Sequence, residues 1–147
     1  MRDNDPDSND YERQLERSLY EPSPELLAIN HRFIGAAIEV HRHLGPGYTE
    51  PMYRRALRAE LLARGIEYSM EVPVDVSYKG EVIGLYRLDF LIEGQLVIEL
   101  KAIERIERVH VEQMIGYLRA TNRQFGLIVN FNVSLLHQGV RRVFCRH

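Results

Sequence analysis

The spacing of hydrophobic and polar positions changes period along the chain, and each change marks a new element. From Glu25 to Leu44 the apolar positions Leu26, Leu27, Ile29, Phe33, Ile34, Ala37, Ile38 and Leu44 recur at steps of three and four. That spacing predicts an amphipathic helix with one apolar stripe. Gly45-Pro46-Gly47 ends it. A second helix is expected from about Glu50 to Arg64. Pro51 sits in its first turn, where no amide donor is needed, and Gly65 lies just past its end. The period then drops to two. Val72, Val74, Val76 and Tyr78 alternate with Glu71, Pro73, Asp75 and Ser77, which reads as a strand. Lys79-Gly80 reads as a turn, Glu81–Ile92 as a second strand, residues 93–95 as a second turn and Leu96–Ala102 as a third strand. Helical spacing returns over Ile106–Ala120 through Ile106, Val109, Met114, Ile115 and Leu118. Phe125–Asn130 is nearly all apolar, as expected of a strand buried on both faces, and Gly139–Cys145 suggests an edge strand. The order predicts an α/β fold, a central mixed sheet of four to five strands with helices on both faces.

Composition narrows this picture without redirecting it. The chain has 147 residues, 45% hydrophobic and 27% charged, the profile of one globular domain. No apolar run approaches the ~20 residues that a membrane-spanning helix needs. Residues 1–24 are rich in Asp, Asn, Ser and Pro and read as an acidic, flexible arm with a short helix around Tyr11–Leu19. Residues 25–147 read as a single domain. The opening MRDNDPDSND is too polar for a signal peptide, and Cys145 is the one cysteine, so a reducing, cytoplasmic setting is expected. Residues 1–25 carry eight acidic and three basic side chains, net -5, which leaves +3 on the rest. A body this mildly basic permits nucleic-acid binding without arguing for it. Of the 19 basic residues only Lys79 and Lys101 are lysine.

The hairpin YRLDFLIEGQLVIELKA carries the candidate chemistry. Strand alternation puts Val97, Glu99 and Lys101 on one face of the third strand. It puts Asp89 and Leu91 on one face of the second strand, with Leu88, Phe90 and Ile92 on the other. A three-residue turn at 93–95 pairs position 89 with position 99, which sets Asp89 and Glu99 side by side roughly 5 Å apart at Cβ, next to Lys101. Like charges directly opposite destabilise a sheet, and these interrupt otherwise apolar strands. A divalent cation held by both carboxylates would compensate, with Lys101 helping to balance charge. The alternative is a surface hairpin with one solvated face, but LVIEL is too apolar for that. An arginine-dominated chain that keeps lysine at Lys101 also points to a site needing a compact ammonium.

Asp89…Glu99-Leu100-Lys101 resembles the PD-(D/E)xK motif of the restriction-endonuclease-like nuclease superfamily. Gly47-Tyr48-Thr49-Glu50-Pro51-Met52-Tyr53 matches G-x-x-E-x-x-Y. It is preceded by HRHLGPG and followed by VPVDVSYKGEVIG, the hairpin, a helix with Gln113-x3-Tyr117-Leu118, and GLIVNF. In that order these segments resemble the GxxExxY protein family, a branch of the superfamily, over roughly residues 25–145. The resemblance implies an α-β-β-β-α-β core and a metal-dependent nuclease. It implies that Asp89 and Glu99 bind the metal, Mg²⁺ or Mn²⁺, and that Lys101 orients the attacking water or stabilises charge on the phosphate. It implies that Glu50 adds a carboxylate to the metal site, and that Gln113 and Tyr117 lie near the metal or the nucleic-acid backbone. Pro51 fixes the helix start beside Glu50, so the Glu50 side chain could instead cap its own helix.

Other residues carry less. His41 and His43 do not share a helix face, and His31 is too distant from His41 for one helical site, so a structural or solvated role is expected for them. His110 shares a helical stripe with Gln113 and Tyr117, where lining a site and lying on the helix surface both fit. Arg54 and Arg58 are one turn apart and could meet phosphates, or could lie on a solvated face paired with Glu60 and others. Arg141-Arg142 and Arg146 form a non-specific basic patch. Gly45-Pro46-Gly47 lacks the strand and spacing of a phosphate-binding loop. The expected function is hydrolysis of DNA or RNA phosphodiesters. The alternative is a non-catalytic module on the same fold that binds nucleic acid or protein. The acidic arm could support the latter by occupying the basic face or recruiting a protein partner.

Overall fold

The structure, a computed structural model, describes residues 22–145. The helix expected around Tyr11–Leu19 and the position of Arg146 lie outside the described residues. The elements in chain order are α1 (Pro24–Leu44), α2 (Glu50–Ala63), β1 (Tyr68–Tyr78), β2 (Glu81–Ile92), β3 (Leu96–Lys101), α3 (Arg108–Ala120), β4 (Phe125–Asn130) and β5 (Val140–Phe144). A short 3-10 turn at Leu136–Gly139, not anticipated from periodicity, precedes β5. Among the described residues no helix is long and apolar enough to cross a membrane.

The strands form one mixed sheet in the order β1-β2-β3-β4-β5. The β3–β4 pair is parallel, connected through α3, and the other neighbours are antiparallel. Two apolar layers cover the sheet. On one side Ile29, Phe33 and Ala37 of α1 and Tyr53, Leu57 and Leu61 of α2 pack on Phe90, Ile92, Ile98, Leu100, Leu127 and Val129. On the other, Met114, Tyr117 and Leu118 of α3 pack on Leu88, Val97 and Ile128. β3 and β4 lie between both layers, which is why their sequences are apolar at consecutive positions. Gly126 lets α3 approach: a Cβ there would lie 2.9 Å from Met114 Sδ and 3.1 Å from the Val97 carbonyl oxygen.

One departure from simple alternation matters for the site. The expectation that Leu88, Phe90 and Ile92 share a face is corrected. Phe90 and Ile92 join the α1–α2 layer, whereas Leu88 joins the α3 layer. The partner strand turns over at the same level, with Met70 on the first side and Val72 on the second. The cause lies between them. Glu71 takes a left-handed backbone, φ 49°, while Met70↔Phe90 and Val72↔Leu88 keep their register. A single left-handed residue reverses the side-chain direction in β1, and β2 twists with it at Asp89.

Candidate active site

The site is built where β2 and β3 part. Their pairing runs from Ile92↔Leu96 to Phe90↔Ile98 and stops there, one position short of the direct 89–99 pairing expected from the turn. Two carboxylates take over from the ladder. Glu99 Oε1 accepts the Asp89 backbone N–H at 3.1 Å, and Asp89 Oδ2 accepts the Leu100 backbone N–H at 2.8 Å. The acidic side chains thus do work that carbonyl oxygens do elsewhere, and each is locked to the opposite strand. Glu99 is only 6% exposed.

Glu50 enters from the start of α2. It is the first helical residue, with Thr49 at the cap position, and its carboxylate faces Arg54, so the self-capping alternative is not what the structure shows. The loop before it is held by Tyr53, which is fully buried. Its hydroxyl donates to the Gly45 carbonyl at 2.5 Å and accepts the Tyr48 N–H at 3.2 Å, and its ring stacks on Phe131 at 4.6 Å. Within Gly47…Glu50…Tyr53, therefore, the glutamate reaches the site while the tyrosine shapes the turn that delivers it. Gly47 supports that turn with φ 101°.

Arg54 turns inward, where the sequence left it open between phosphate contact and a solvated face. Its Nη2 donates to Glu50 Oε1 at 2.9 Å and to Asp89 Oδ1 at 3.1 Å, and Nη1 lies 3.9 Å from Glu71 Oε1. Arg58 is instead bonded to the Tyr68 hydroxyl at 3.1 Å, and Glu60 pairs with Arg64. The role of Arg54 was not anticipated, although its position four residues after Glu50 is the helical spacing for such a pair.

The electrostatics follow from burial and crowding. Burial, then the adjacent Asp89 charge, pushes the Glu99 carboxyl up to about 8, against the pull of the Asp89 N–H and of Lys101. Glu50 is raised by the same two causes, opposed by Lys101 and Arg54. Lys101, at the end of β3, is therefore felt by carboxylates from both the helix and the hairpin. Its ammonium makes no hydrogen bond or ion pair among the described residues. Tyr117 of α3 is 6% exposed. Burial and the charges of Glu99 and Asp89 push its hydroxyl far up, so it stays protonated and able to donate.

Other expected residues fall elsewhere. Gln113 is exposed one turn before Tyr117 and makes no hydrogen bond among the described residues. His110 belongs to the start of α3, where its Nδ1 accepts the Glu107 N–H at 2.8 Å. His41 is buried and bonds the Val133 carbonyl at 2.8 Å, and His43 pairs with Glu39. His41 is thus structural and His43 lies on a solvated helix face, within the expectation for both.

The donor set suits a hard cation. Carboxylate oxygens, such as those of Asp89, Glu99 and Glu50, are the ligands Mg²⁺ and Mn²⁺ prefer. Among the described residues no three acidic or histidine side chains are gathered closely enough to hold an ion together. Mg²⁺ needs only one or two carboxylates, since it keeps several waters, and the Asp89–Glu99 pair meets that need.

Comparison with known proteins bears on the same segment. The family model of the PD-(D/E)XK nuclease superfamily matches residues 28–143, from within α1 to within β5. No curated protein and no solved structure matches the chain.

Proposed function

Because the chain belongs to the PD-(D/E)XK nuclease superfamily, we propose that it is a divalent-metal-dependent nuclease, of the GxxExxY branch, hydrolysing nucleic-acid phosphodiester bonds. The observation that carries this reading is the opened β2–β3 seam. There Asp89 and Glu99 are fixed against each other by backbone N–H groups, with Lys101 close enough to act on both Glu99 and Glu50.

Asp89 and Glu99 would hold the cation, while the Glu50 carboxylate faces Arg54. Mg²⁺ or Mn²⁺ bound there supplies polarisation of water and neutralisation of phosphate charge. Lys101 brings a compact cation with no ion pair among the described residues, suited to orient the attacking water or to meet charge that develops on the phosphate oxygens. Tyr117, kept protonated, offers a hydroxyl to the carboxylates or to the nucleic-acid backbone. Gln113, one turn away and exposed, would meet the nucleic-acid backbone.

Calorimetry of Mg²⁺ and Mn²⁺ binding to wild type and Asp89→Ala tests the metal. A cleavage screen across single- and double-stranded DNA and RNA tests the reaction. Binding that disappears in Asp89→Ala, with cleavage that needs the metal, is the expected result. Metal-independent binding of nucleic acid or protein without any cleavage would instead support the non-catalytic module.

A further inference from the structure

Arg54 occupies an unusual place. Its Nη2 is shared between Glu50 Oε1 and Asp89 Oδ1 at 2.9 and 3.1 Å, so those two oxygens lie within about 6 Å of each other. A cation that took up both oxygens would have to displace that nitrogen, so the guanidinium and a shared cation exclude one another. We propose that Arg54 is a positioning residue that withholds Glu50 from the metal, leaving the cation to Asp89, Glu99 and water. This rests on the metal-binding reading above.

Three features support it. The Arg54 side chain is 21% exposed and engaged on its carboxylate side, so it is not a free surface cation. Its Nε is buried with no acceptor among the described residues, so the guanidinium is held in place by the charges of Glu50 and Asp89 rather than by a complete set of hydrogen bonds. No third acidic side chain joins the pair closely enough to hold an ion among the described residues, as expected if Glu50 is kept back by its own helix neighbour. Arg54 has an alternative acceptor at hand in Glu71, 3.9 Å from Nη1. Removing the guanidinium frees Glu50 and leaves its repulsion with Asp89 for a cation to relieve.

The test is a Mn²⁺ titration of the full chain as wild type, Glu50→Gln, Arg54→Gln and the double variant. Water-proton relaxation counts the waters on the bound ion. In the wild-type background Glu50→Gln should change the affinity less than about twofold, far less than Asp89→Ala. Arg54→Gln should tighten binding about tenfold or more and remove one bound water. Adding Glu50→Gln should reverse both. Tighter binding with no change in bound water would mean that only net charge matters and would overturn the proposal. So would a Glu50→Gln loss as large as that of Asp89→Ala. Arg54→Lys, which keeps the charge but loses the fork, guards against misfolding: it should fall between wild type and Arg54→Gln. A wild type that binds no Mn²⁺ would overturn the nuclease reading and this one with it. Wild-type binding with an unaltered Arg54→Gln would overturn this one alone.

Discussion

β3 has two seams, and they are closed by different means. Toward β4 the ladder is continuous from Val97↔Gly126 to Lys101↔Asn130 and buried except at Lys101. Toward β2 it stops at Phe90↔Ile98, and carboxylates take up the next N–H groups. The first seam is held by apolar packing and backbone hydrogen bonds. The second exchanges part of that for the buried Glu99 and the half-buried Asp89, whose mutual repulsion opposes folding. A strand can carry a charged site when its other edge is fully committed to the core.

The largest expected effect breaks the closed side. Leu100→Ala removes a fully buried side chain and should destabilise the protein by about 2–5 kcal/mol in chemical denaturation. If the loss is under about 1 kcal/mol, the β3–β4 region is not the part that supports the site.

The open side should behave in the opposite way. Glu99 is raised from 4.5 to about 8, so the folded chain binds its proton where the unfolded chain has released it. The contribution of this group is greatest below pH 4.5 and is lost as pH rises toward 8. In metal-free buffer Glu99→Gln should therefore gain stability over wild type progressively across that window, by about 1–3 kcal/mol at its upper end. A difference that does not vary with pH would refute the repulsion. Asp89→Asn should be nearly neutral, because relief of repulsion is offset by the lost ion pair to Arg54. Strong destabilisation would show that the carboxylate is structural.

Lys101 sharpens the comparison at the point where both seams end. Lys101→Ala should leave metal affinity within a few-fold of wild type and abolish cleavage, since it removes a transition-state group and no ligand. Lys101→Arg should fail as well, because a planar fork does not replace a compact ammonium. Full activity in Lys101→Arg would remove the argument from lysine identity. The smallest effect is on stability, where both changes should stay within about 0.5 kcal/mol of wild type.

Much of the molecule follows from local pattern. The helical stripes of α1, α2 and α3, the alternation in β1 and the apolar runs of β3 and β4 are set by which residues must be buried, and burial has a period that a chain displays in one dimension. The turn at 93–95 brings residues 89 and 99 opposite each other by counting, and Glu50 heads its helix because Pro51 follows it. What depends on contacts between distant segments could not be read this way. The left-handed Glu71, the reversal of faces at Asp89 and the replacement of ladder bonds by carboxylates arise only when β1, β2 and β3 lie side by side. Tyr53 closes onto Gly45, and Arg54 bridges α2 to β2, through distances that no spacing along the chain encodes. The sequence by itself determined which groups are present and which element carries each. The tertiary structure decided which of them meet, because charge repulsion, desolvation and hydrogen bonding act through space, and their balance exists only in the folded chain.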